Sequence, residues 1–135
     1  MKIKLSHIAV ATPEIKKVAD RLKHLSLLVK ETHTVESEKV CAAMIPVETS
    51  EHLRLELLEP TNPSSPIAKF LEKRPNGGLH HLAFEVEKIE QWEKILKENR
   101  FEVLAPGIRK GARGKVLFIH PKDMGGVLVE LEEIA

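Results

Sequence analysis

One cysteine, almost no net charge and no long apolar run bound what this 135-residue chain can be. A single thiol, Cys41, excludes an internal disulfide and fits a reducing compartment, so a cytoplasmic location is expected. Lys and Arg number 21 against 20 for Asp and Glu, which leaves no broad field to attract nucleic acid or a membrane surface. No stretch reaches the roughly 20 apolar residues that a bilayer crossing needs. Met1-Lys2-Ile3-Lys4 leads straight into strand-like alternation, without the apolar run of a signal peptide. Walker-type and dinucleotide fingerprints are also missing, so a nucleotide held here would be a handle and not the reacting group.

What is present is a repeat. His7 and Glu56 stand 49 residues apart, His81 and Glu130 the same 49, and the second pair follows the first at an offset of 74. The surrounding text repeats too. His7-Ile8-Ala9-Val10 matches His81-Leu82-Ala83-Phe84, and Leu55-Glu56-Leu57 matches Val129-Glu130-Leu131. Between them Ile15, Val18 and Leu22 fall opposite Ile89, Trp92 and Leu96. An offset of half the chain indicates two copies of one module rather than a solenoid. Module one takes about residues 1–60, a connector about 61–78 and module two about 79–135, all within a single domain by the length prior.

Ile3 to Val10 alternates as a strand, with Ile3, Leu5, His7 and Ala9 on one face. Thr12-Pro13 predicts a helix start with Thr12 as N-cap, and Ile15, Val18, Ala19 and Leu22 form the apolar stripe of that helix. Val40 to Val47 and Leu53 to Leu58 read as hairpin strands around a turn at Glu48 to Glu51. The connector, rich in proline, holds a short amphipathic helix (Ile67, Phe70, Leu71) and ends at Asn76-Gly77-Gly78. The pattern then restarts: a strand to Val86, a helix to about Asn99, a strand near Phe101, and hairpin strands at Val116 to His120 and Val127 to Leu131.

A sheet covered on one face by a helix must cover its other face or line something with it. By alternation the two histidines and the small Ala9 and Ala83 share that other face, as do Glu56 and Glu130, whose flanking apolar residues point the opposite way. Two half-sheets side by side would make a curved cup with four donors at its floor. A lone buried histidine is usually a core residue and a lone strand glutamate usually faces water. Two pairs in duplicate register are harder to explain that way, because unpaired carboxylates inside a cup would each cost several kcal/mol. Two imidazoles and two carboxylates without a thiolate suit a divalent Mn, Co, Ni, Fe or Zn ion in an open five- or six-coordinate site.

The other candidates are weaker. His80 faces away from His81 and suits packing or hydrogen bonding; His120 ends a strand near the cup rim; His24, His33 and His52 read as surface residues. Cys41 reads as a small strand residue. Gly107 to Lys115 is the one concentrated basic stretch, either a solvated hairpin loop or a phosphate contact made by Arg109, Lys110, Arg113 and Lys115.

These residues resemble a known group. The two-module pattern is similar to the vicinal oxygen chelate superfamily, which includes glyoxalase I and extradiol dioxygenases. Within it the chain resembles the methylmalonyl-CoA epimerase family from end to end. The carrying strings are His7-Ile8-Ala9-Val10, Leu55-Glu56-Leu57-Leu58-Glu59-Pro60, Ser65-Pro66-Ile67-Ala68-Lys69-Phe70-Leu71 and Gly77-Gly78-Leu79-His80-His81-Leu82-Ala83-Phe84-Glu85-Val86. Gly111-Ala112-Arg113-Gly114-Lys115 follows, then Phe118-Ile119-His120-Pro121-Lys122-Asp123 with Gly125-Gly126-Val127-Leu128-Val129-Glu130-Leu131, which is the most specific part.

The resemblance implies an α+β fold of two tandem βαβββ modules forming a curved, cup-like, eight-stranded mixed sheet. It implies an epimerase that interconverts (2R)- and (2S)-methylmalonyl-CoA by α-proton abstraction through a metal-stabilised enolate, and a homodimer. The ion, cobalt in vitro with manganese, nickel, zinc or iron as alternatives, would be held by His7, Glu56, His81 and Glu130. In some relatives glutamine replaces Glu56, and Arg113 stands where histidine is common. Glu130 is the expected acid/base group on one face of the substrate. The second glutamate proposed for one family member would fall near Lys39 or Ala42, neither of which is a carboxylate, so Glu48 is the candidate for the opposite-face group. Lys110, Arg113 and Lys115 would meet the CoA phosphates. Two alternatives stay open: a glyoxalase I-type isomerase acting on a glutathione adduct, and a metal-free small-molecule-binding module of the same fold.

Overall fold

Two runs of the chain share one order of elements because they share one pattern of apolar residues. The computed structural model describes residues 2–47, 52–111 and 113–134. The expected turn at Glu48 to Glu51, and with it Glu48, lies outside the described residues. The elements are β1 (Ile3–Ala11), α1 (Ile15–Leu22), β2 (Glu31–Val35), β3 (Val40–Pro46), β4 (Arg54–Pro60), α2 (Pro66–Lys73), β5 (Gly78–Val86), α3 (Ile89–Glu98), β6 (Arg109–Lys110), β7 (Gly114–Ile119) and β8 (Leu128–Ile134). The chain carries the eight strands of the expected mixed sheet. Among the described residues no helix is long and apolar enough to cross a membrane.

The contacts divide the chain into two units, His7–His80 and Met1–Ser6 with His81–Ala135. The first includes the connector. Ile67 of α2 packs into a cluster with Ala9, Ala11, Val40, Ala42 and Leu58, which ties the helix to the sheet that precedes it. Within this unit the strand order is β2-β3-β4-β1, with β1 and β4 parallel and the other pairs antiparallel. All four stripe residues of α1 pack beside Ala43, Ile45 and Leu57 on the opposite face of the sheet. The second unit has the order β5-β8-β7-β6, again with one parallel pair, β5 and β8. Ile89, Trp92 and Leu96 of α3 cover Leu117, Ile119, Val129 and Leu131. One sheet face under one helix is therefore realised in each module.

Two expectations need correction, and one strand was not anticipated. Helix α1 starts at Ile15, not at Pro13. Thr12 makes a local turn in which its hydroxyl accepts from the Glu14 N–H at 3.2 Å, and the Glu59 carboxylate accepts from the Ile15 N–H at 2.6 Å. A carboxylate from 44 residues away thus occupies the helix N-terminus, where the dipole favours negative charge. The chain near Phe101 forms no strand, only an isolated bridge from Val103 to Ile119; the corresponding strand is the two-residue β6. Strand β2 was not foreseen from its residues. The connector helix behaves as expected, with Pro66 in its first turn and the Ser65 hydroxyl accepting from the Ile67 N–H at 3.1 Å.

Candidate metal centre

The offset of 74 survives in the strand register. In the first unit Ala9 lies opposite Glu56, and Glu56 opposite Met44; in the second Ala83 lies opposite Glu130, and Glu130 opposite Phe118. Residues paired across a ladder share a face, so each glutamate lies on the face of the histidine two residues before its alanine partner. That local logic produces two donor pairs. His7 Nε2 is 3.8 Å from Glu56 Oε1, and His81 Nε2 is 3.2 Å from Glu130 Oε1. His7, His81 and Glu130 are 4%, 6% and 8% exposed, and Ala9 and Ala83 are fully buried beside them.

The spacing within a pair fits two donors on one ion. Donors with bonds of about 2.1 Å at adjacent octahedral positions sit about 3 Å apart, close to the His81–Glu130 separation. His7, Glu56 and His81 make up a donor group able to hold a metal ion. Nitrogen and carboxylate oxygen without sulfur favour a hard-to-intermediate divalent ion and leave coordination positions for exchangeable ligands. Buried carboxylates need such a counter-charge, because desolvation of an anion outweighs anything an apolar wall returns.

Around the second pair the structure adds aromatic support. The Phe118 ring meets His81 edge-on at 6.3 Å and an interplanar angle of 90°, and the Arg109 guanidinium lies 4.6 Å over Phe118. His80 turns away, as expected, and packs edge-on against Phe70 at 5.0 Å. His120 closes a local turn, its Nδ1 accepting from the Lys122 N–H at 3.0 Å. His24, His33 and His52 are exposed. Cys41 is a half-buried free thiol, held above its ordinary pKa first by burial and then by the nearby Glu59.

The basic stretch is a short hairpin in which Lys110 opposes Lys115 and Arg109 opposes Val116. A groove of about 670 Å³ runs beside it, lined by Ile108, Arg109, Lys110, Lys115 and Ile134 among others. Two of the three cations expected at the CoA phosphates already have carboxylate partners. Lys115 bonds Glu90 at the start of α3 and holds that carboxyl below its usual range. Arg113 bonds Glu132 at 2.6 Å. The Arg113 partnership, completed by Ser6, was not visible in the sequence. Its one signal is that Glu132 continues the alternation begun by Glu130.

Comparison with known proteins agrees with this geometry. Residues 6–118 match the model of the Glyoxalase/Bleomycin resistance protein/Dioxygenase superfamily. The chain is 41% identical over 133 residues to the ethylmalonyl-CoA/methylmalonyl-CoA epimerase of Cereibacter sphaeroides, covering 97% of this chain and 98% of that protein. The chain belongs to the methylmalonyl-CoA epimerase family. The human mitochondrial member is 39% identical over 132 residues, 96% of this chain and 73% of its own length. A solved structure of a methylmalonyl-CoA epimerase in complex with methylmalonyl-CoA and NH4+ superposes with a TM-score of 0.88 at 28% identity, covering 100% of this chain and 96% of that one. Membership in this family fits the donor chemistry of His7, Glu56 and His81.

Proposed function

We propose that the chain is a metal-dependent epimerase interconverting (2R)- and (2S)-methylmalonyl-CoA, with His7, Glu56, His81 and Glu130 holding one divalent ion. The observation that carries this reading is the pair of histidine–glutamate units in one register, buried on strands of a chain about 40% identical to such epimerases. The proton to be moved lies on the carbon between a thioester carbonyl and a carboxylate. A divalent ion bound by these side chains would supply Lewis-acid stabilisation of the charge that develops when that proton leaves. Glu130 exchanges the proton at one face of the α-carbon, its carboxylate oriented by His81 at 3.2 Å and shielded from bulk water. The basic hairpin receives the CoA portion, with Lys110, Arg113 and Lys115 toward its phosphates.

A homodimer and a cytoplasmic location belong to the same proposal; exposed Leu25 and Leu28 support the first and the lone thiol of Cys41 the second. Deuterium exchange at the α-carbon, with and without chelator, tests the function. Exchange into methylmalonyl-CoA that stops on chelation is expected. Exchange indifferent to chelator, or turnover of a glutathione hemithioacetal instead, would overturn it. Ethylmalonyl-CoA belongs in the assay because the Cereibacter sphaeroides relative is named for both substrates.

A further inference from the structure

Glu132 is a buried carboxylate, 4% exposed, that the reaction outlined above leaves without a task. It lies two residues beyond Glu130 on β8 and opposite Val116 and Glu85, so it shares the donor-bearing face of its unit. A buried charge is costly even when paired, and a buried pair is weak evidence for stability, so its placement on this face asks for another role.

Its surroundings are specific. Arg113 Nη2 donates to Glu132 Oε1 at 2.6 Å and lies 3.2 Å from Ser6 Oγ, and the Ser6 hydroxyl donates to the same Glu132 oxygen at 3.0 Å. Ser6 is 2% exposed. One nitrogen of the guanidinium is therefore fixed from within, whereas Nε and Nη1 make no hydrogen bond to any described residue and the side chain stays about one-third exposed (36%). An arginine carries five N–H donors in a rigid plane, so pinning one nitrogen orients all the others.

The neighbouring cations differ. Lys115 is committed to Glu90 of α3, the helix that covers the opposite face, and Lys110 lies opposite Lys115 in the ladder, which directs it to that same side. Arg109 shares the donor face but has its guanidinium carbon 4.6 Å over the Phe118 ring. Of these four described cations, Arg113 is thus the one whose donors are both oriented and uncommitted on the side where the reaction takes place.

We propose that Glu132, with Ser6, is a positioning residue for substrate binding. It holds Arg113 so that the free donors of the guanidinium receive an anionic oxygen group of the CoA thioester, either a phosphate or the free carboxylate. The proposal rests on the epimerase reading. Fixing the side chain during folding removes the rotamer entropy that binding would otherwise have to cost.

The test uses the full-length, metal-loaded protein and four variants: Arg113→Ala, Arg113→Lys, Glu132→Gln and the double variant Arg113→Ala/Glu132→Gln. α-Proton exchange is measured with methylmalonyl-CoA and with methylmalonyl-pantetheine, which lacks the phosphates, alongside metal content. Arg113→Ala should raise KM about tenfold, the scale of one charged hydrogen bond, with kcat and metal unchanged. Lysine should restore less than half of the loss, because it cannot hold Glu132 and present a fork at once. Glu132→Gln should raise KM several-fold, and the double variant should be no worse than Arg113→Ala, since both act through one contact. A KM effect confined to the CoA substrate assigns the phosphate; an equal effect on both assigns the carboxylate. Unchanged KM in Arg113→Ala on both substrates, or penalties that multiply in the double variant, would overturn the proposal. If Glu132→Gln does not fold, the exposed Arg113 variants decide alone. A wild type that fails to exchange but binds the thioester in calorimetry sinks only the epimerase reading, and the Arg113→Ala affinity then decides this one. A wild type that does neither sinks both.

Discussion

Glu130→Gln replaces one carboxylate oxygen by an amide nitrogen at nearly constant volume, and it separates two tasks that one residue is asked to perform. The remaining amide oxygen still donates a lone pair to an ion. The amide cannot accept a proton at neutral pH. The two glutamates differ in a way that bears on this. Glu130 Oε1 sits 3.2 Å from its histidine with a side chain 10% exposed, against 3.8 Å and 14% for Glu56. We therefore expect Glu130→Gln to keep most of its metal and lose at least about a hundredfold in kcat, the usual scale for a missing general base. That factor corresponds to about 2.7 kcal/mol on the barrier. Glu56→Gln should keep both metal and activity to within a few-fold. Deuterium incorporation at the α-carbon gives the rates, and elemental analysis of the same samples gives the stoichiometry. Equal losses in the two variants would refute the reasoning, since Glu130 would have no distinct role. Loss of metal from Glu130→Gln in step with activity would reduce the residue to a ligand.

The remaining predictions concern the metal and the scaffold. His81→Ala should lose metal and activity together; full metal occupancy by elemental analysis would remove His81 from the ligand set. Glu59→Gln should destabilise the chain by about 1 kcal/mol by weakening the cap on Ile15, seen as a lower urea midpoint at constant slope. Gly77→Ala should cost well over about 1 kcal/mol, because Gly77 has φ +91° and an added Cβ would stand 2.4 Å from the Ala11 carbonyl oxygen. Gly125→Ala is the comparison: φ is +71° but nothing lies within 4 Å of the added atom, so the smaller loss of backbone strain alone should appear in the same titration.

The donor pairs were legible because a repeat in sequence became a repeat in register, so that Met44–Glu56 and Phe118–Glu130 are equivalent cross-strand pairs. Helices α1 and α3 were legible from stripes that do bury. Strand β2 was not. Its Glu31-Thr32-His33-Thr34 run is exposed throughout and carries no alternation; the strand exists because β3 offers it an unpaired edge. The start of α1 was misplaced for a related reason. Local chemistry at Thr12-Pro13 resembles a cap, while the carboxylate that serves the helix arrives from Glu59. Arg113 was read as one cation of a basic loop, solvated or meeting phosphate, without its internal bonds, because both of its partners, Ser6 and Glu132, come from distant strands and no local spacing reveals them.

The contact between Ser6 and Glu132 joins positions 126 residues apart, and this bears on the order in which the molecule assembles during synthesis. The unit His7–His80 draws all its strands and both its helices from one uninterrupted stretch, so it can acquire its contacts while the remainder is still being translated. The other unit brings residues from before His7 together with residues from after His80 and closes on β8, so its completion waits for β8. Protease protection of stalled nascent chains should then appear in two steps, the first once His80 has cleared the ribosome and the second only after Ile134. Until that second step neither Ser6 nor Arg113 can bond Glu132, and a chain truncated just before β8 would hold one of its two donor pairs and lack the other.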